Sequence, residues 1–79
     1  MTDSVPTLDA LPAAAQIADL RRRAADEGDA VEVVFPAADG ETKRFVVSPR
    51  GTCVVLTNLR EETFNPSVAP EAIAAALRE

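Results

Sequence analysis

Apolar residues at Ala13, Ile17, Leu20 and Ala24 recur at helical spacing and line one narrow stripe. They predict a helix from about Ala10 to Glu27, with Asp9 as N-cap and Pro12 in the first turn. Gly28 then takes the left-handed position that ends a helix. After Gly28 the period changes to two. Val31, Val33 and Phe35 alternate with Ala30, Glu32 and Val34, which predicts a strand. A second strand is expected over about Glu41 to Ser48, and a third over about Thr52 to Leu59.

The turns between these strands set a testable register. Ala37-Ala38-Asp39-Gly40 and Ser48-Pro49-Arg50-Gly51 both suit a type I turn closed by a glycine bulge. Ala37 then pairs with Glu41, and Ser48 with Thr52. Counting back, Phe45 lies opposite Val33 and Val55, Val47 opposite Val31 and Cys53, and Lys43 opposite Phe35 and Thr57. Val31, Val33, Phe35, Phe45, Val47, Cys53 and Val55 fall on one face, with Lys43 and Thr57 at its end. A one-residue slip would scatter them. The other face is mixed. It carries the diagonal pair Glu32 and Arg44, and an apolar cluster of Val34, Val46, Val54 and Leu56.

Arg60 to Asn65 reads as a polar loop holding Phe64. A second helix is expected from about Val68 to Leu77, with Ser67 as N-cap, Pro70 in the first turn, and Ile73 and Leu77 on one face. The predicted fold is therefore α+β: a three-stranded antiparallel meander with an N-terminal and a C-terminal helix (α-β-β-β-α). The first helix packs on the Phe45 face. The second goes beside it or onto the far face. Residues 1–8 are expected as a loose tail, and 9–79 as one domain.

Composition narrows the chemistry. With 79 residues the chain makes one small domain, of a size that buries only about 60% of its unfolded surface. One Cys and no His exclude an internal disulfide and a Cys/His zinc site. No carboxylates have calcium-loop spacing, and no glycine-rich phosphate loop is present. No cofactor or metal is therefore expected. The single thiol, the absence of signal-peptide character in MTDSVPTLDALP and the lack of a long apolar run give a cytoplasmic expectation.

Three features could carry chemistry. Cys53 has no His to activate it, and the register buries it, so packing is the expectation over a thiol-based enzyme or redox role. Glu61-Glu62 is an adjacent loop pair of the kind that is usually just solvated. Arg21-Arg22-Arg23 could grip phosphate, but successive helical residues diverge by roughly 100°. Asp19, Asp26 and Glu27 dilute the run, and the net charge of −5 works against nucleic acid. That reading is an alternative, not the expectation.

The remaining feature is the third strand. It has no charge and no proline, and in a three-stranded meander it is an edge. Either the last helix or the Phe64 segment covers it, or it meets another chain. The expected function is a small acidic, non-enzymatic protein-protein interaction module. By size and charge it is analogous to the inhibitors and adaptors of phage and mobile elements. Its partner is another protein or a second copy, and its contact residues are Val34, Val46, Val54, Leu56 and Asn58.

Overall fold

The computed structural model describes residues 6–37, 40–57 and 60–78. Six elements follow in chain order: α1 (Ala14–Glu27), β1 (Val31–Pro36), β2 (Thr42–Val47), β3 (Cys53–Leu56), β4 (Glu61–Phe64) and α2 (Pro70–Leu77). The strands form one antiparallel sheet in the order β1-β2-β3-β4. Both helices lie side by side and complete a single core with one face of that sheet.

The register follows from the turns. Val33 faces Phe45 and Phe45 faces Val55; Val31 faces Val47 and Val47 faces Cys53. The Ala37 N–H donates to Glu41 O at 2.7 Å, and the Ser48 N–H to Thr52 O at 2.9 Å. Gly40 and Gly51 close these turns at φ 88° and 101°, a conformation that side chains with a Cβ rarely adopt. The buried sheet face is therefore Val33, Phe35, Phe45, Val47, Cys53 and Val55, with Val31 partly buried beside it.

The sheet has four strands, not three. The strand expected from Thr52 to Leu59 ends at Leu56. Thr57 and Arg60 then turn the chain: the Thr57 N–H donates to Arg60 O at 2.9 Å, and the Arg60 N–H to Thr57 Oγ1 at 3.0 Å. Glu61 to Phe64 returns along β3, with Phe64 opposite Cys53. Glu61 and Glu62 are poor strand formers, so the segment reads locally as a loop; pairing with β3 overrides that preference. Thus β3 is interior, and its expected exposed edge does not exist.

Both helices begin later than their apparent caps, each beside a proline. A proline pushes the residue before it out of the helical region. Pro12 thereby blocks a start at Ala10, and Asp9 caps nothing. Ala13 is extended and is the N-cap of α1, its N–H donating to Gln16 Oε1 at 2.8 Å. Likewise Ala69, before Pro70, is extended at φ −68°, ψ 147° and displaces Ser67 as the N-cap of α2. Gly28 ends α1 at φ 67°, and its N–H reaches Ala24 O at 2.9 Å.

Helix placement follows from width. Four strands span roughly 14 Å between outer axes, and one helix covers about 10 Å. The α1 stripe, Ile17, Leu20 and Ala24, is too narrow alone. α2 adds Ile73, Ala74 and Leu77 to the same layer, which settles its place beside α1.

Of the tail expected over residues 1–8, residues 1–5 lie outside the described residues. Pro6 to Leu8 runs parallel to β1: the Leu8 N–H donates to Val34 O at 2.7 Å, and the Val34 N–H to Pro6 O at 2.9 Å. Among the described residues no helix is long and apolar enough to cross a membrane.

Candidate interaction face

Strand alternation sends Glu32, Val34, Arg44, Val46, Val54, Leu56, Glu61 and Thr63 to the side opposite the helices. Two rows cross the sheet there. One reads Glu32, Val46, Val54, Thr63; the other reads Val34, Arg44, Leu56, Glu61. Val46 and Val54 are direct cross-strand partners. Val34 and Leu56 flank Arg44 in the neighbouring row. The structure thus brings four of the five expected contact residues together, each partly exposed. The fifth, Asn58, lies outside the described residues.

The charges on this face run between Val34 and the other three aliphatic residues. Arg44 forms an ion pair with Glu32, its diagonal neighbour across strands β1 and β2. The pair is exposed, so it contributes at most about 1 kcal/mol to stability. Its effect is geometric: the Arg44 head is drawn toward Glu32 and away from β3. β3 itself presents only Val54 and Leu56 outward, so no polar side chain interrupts the face along that strand.

Both sheet edges are occupied or charged. Pro6 to Leu8 pairs along β1. β4 is four residues long and carries exposed Glu61 and Glu62. Short, charged edges resist pairing with another strand. An incoming chain meets the face more readily than an edge.

No known family model, curated protein or solved structure matches the chain.

The arginine run divides in three directions. Arg21 is partly buried and turns into the domain. Its Nε donates to Gly51 O at 2.9 Å, one terminal nitrogen to Val68 O at 2.7 Å, and the other to Asn65 O at 3.2 Å. One guanidinium so ties α1 to the β2–β3 turn and to the β4–α2 connection. Five fixed N–H donors make arginine suited to this, where lysine offers a single point charge. Arg22 pairs with Asp19 one turn away. Arg23 is exposed. Helical divergence in the sequence indicates that the three separate; nothing in the sequence signals that Arg21 gathers three carbonyls.

Cys53 is fully buried, and its Sγ lies 3.6 Å from the same Gly51 O that Arg21 holds. Burial pushes the thiol above its ordinary pKa, against an opposing pull from the Arg21 guanidinium. A neutral, enclosed thiol is a poor nucleophile. Among the described residues no group of three His, Cys, Asp or Glu is placed to hold a metal ion.

Proposed function

We propose that the chain is a small non-enzymatic interaction module that binds another protein through the open face of its sheet. The observation that carries this is the adjoining group Val46, Val54 and Leu56, with Val34 across the Glu32–Arg44 pair, all left partly exposed because both helices lie on the opposite side. One-sided antiparallel sheets ordinarily place polar residues outward. Here four aliphatic side chains occupy those positions.

Size decides what kind of complex this face supports. Four strands of four to six residues give a face of roughly 15 by 20 Å. That is about 300 Å², below the ~800 Å² per partner of stable complexes. Such a patch serves as the anchoring centre of a larger or transient contact with a different protein. A second copy adds another −5 of net charge to the complex, which opposes self-association. The cytoplasmic inhibitor or adaptor of phage and mobile-element type remains the nearest functional analogy in size and charge.

The test is a comparison of the natural protein with a Val54→Lys/Leu56→Glu variant, both used as bait in host extract. The expected result is a specific protein retained by the natural chain and lost by the variant, with unchanged circular dichroism. Solution mass is measured alongside. A monomer that retains the same proteins with or without the two substitutions would sink the reading, and a dimer broken by them would replace it with self-association.

A further inference from the structure

At one end of the sheet the helix-facing side stops being apolar. Extending the ladder one step beyond Arg44–Leu56 and Leu56–Glu61 aligns Lys43, Thr57 and Arg60 across β2, β3 and β4. The Thr57–Arg60 backbone bond confirms that alignment on the β4 side. The preceding row on this face is Val33, Phe45, Val55 and Glu62. A pocket of about 200 Å³ opens here between the sheet end and the last turn of α2. Its walls are Val55, Ala76 and Leu77, and its polar lining is Lys43, Thr57, Arg60 and Glu62.

Among the described residues, neither the Lys43 ammonium nor the Arg60 guanidinium has an ion-pair or hydrogen-bond partner. Glu62 reaches neither of them closely enough to form a salt bridge. This is notable in a chain of net charge −5, whose Arg21, Arg22 and Arg44 are all engaged within the fold. Lys43 is also partly buried, at a position where the inward residues further along the same strand are Phe45 and Val47. The α2 C-terminus contributes a negative end of about half an elementary charge, smaller than the two full cations beside it.

The geometry points to this pocket as a binding site for a small anionic group, a carboxylate or a phosphate, held between Lys43 and Arg60. Its volume falls short of the ~300–1,000 Å³ of sites for drug-sized molecules. A nucleotide does not fit; a single anionic group with a short apolar stem does. The stem would rest on Val55 and Leu77, and Glu62 would limit affinity by repulsion. The site lies on the helix side of the sheet, so it is separate from the open face and does not depend on it.

Amide chemical shifts of the whole chain, titrated with inorganic phosphate and separately with acetate at constant ionic strength, test the site. Sodium chloride is the control. Saturable shifts at Arg60, Glu62, Ala76 and Leu77, with millimolar affinity, are expected for at least one anion. The tighter of the two identifies the group as phosphate or carboxylate. Lys43→Gln and Arg60→Gln should each weaken binding about threefold to fivefold, as the loss of one unit charge near 5 Å in water predicts. Glu62→Gln should strengthen it by a similar factor, a sign that a merely structural role would not produce. Shifts that only track ionic strength, or that saturate equally in the Lys43 and Arg60 variants, would overturn the assignment.

Discussion

Val33 and Val34 are consecutive residues of one strand, as are Val54 and Val55, yet each pair divides between two environments. Val33 and Val55 are 3% exposed beneath the helices, whereas Val34 and Val54 remain partly open to solvent. The side chains are identical, so hydrophobicity alone does not decide what becomes core. The helices decide it. Ile17, Leu20, Ala24, Ile73, Ala74 and Leu77 supply apolar surface for one face of a four-stranded sheet and leave nothing for the other. The aliphatic residues of the mixed open face are apolar without being part of the core, and for that reason they are the place to look for a partner.

The largest expected effect tests that division directly. Phe45→Ala removes a fully buried ring from the centre of the sheet and should cost about 3–5 kcal/mol. Val46→Ala, one residue along and facing outward, should cost less than about 1 kcal/mol. Urea denaturation of both variants measures the contrast. Equal losses would mean that something covers the open face in solution, and a concentration-dependent midpoint would identify a second copy as the cover.

Arg21 and Arg23 give the next contrast, two residues apart on one helix. Arg21→Met leaves the Gly51, Asn65 and Val68 carbonyls without their shared donor and should destabilise by about 2–3 kcal/mol. Arg23→Met should change stability by no more than about 0.5 kcal/mol. Comparable effects at the two positions would show that the guanidinium clamp is not holding the connections together.

The parts of this fold legible in the sequence are those set by short-range chemistry. Gly40 and Gly51 fix two turns, the turns fix the register, and the register assigns Phe45, Val47 and Cys53 to the core. The cluster of Val34, Val46, Val54 and Leu56 followed from the same counting. The fourth strand was hidden because Glu61 and Glu62 oppose strand formation and only pairing with β3 recruits them. The helix starts were misplaced where Asp9 and Ser67 offered good caps, but Pro12 and Pro70 excluded the conformations needed upstream. Arg21 was illegible because its three acceptors are backbone carbonyls far along the chain, which leave no mark in residue type. The place of α2 needed the width of the sheet, and that width was known only once β4 was counted.

Gly51 joins the two regions that the clamp connects. At φ 101°, an added Cβ would lie 3.3 Å from the Cβ of Pro66, so Gly51→Ala meets both backbone strain and a tight contact. It should destabilise by about 1–3 kcal/mol. Gly40→Ala has a similar φ of 88° but nothing within 4 Å among the described residues, so it should lose less. The difference between the two unfolding midpoints isolates the packing against Pro66. A loss at Gly40 as large as that at Gly51 would assign the whole effect to the backbone.

The smallest effect separates the two faces at adjacent positions of β3. Cys53 is enclosed, and its thiol is held above the ordinary pKa of 9.0. Raising the pH past that value ionises the thiol of the unfolded chain first, so the unfolded state gains and the native state loses stability from there upward. Cys53→Ala should remove this alkaline loss while leaving the other pH-dependent terms in place. Adding Val54→Cys to that variant moves a thiol to the neighbouring outward position. It should react with a small alkylating reagent near the rate of a free thiol, whereas native Cys53 should react only as fast as the domain opens. If the thiol at position 54 is also protected in dilute solution, the outer face is covered. If partner protein alone protects it, that protection locates the contact on β3.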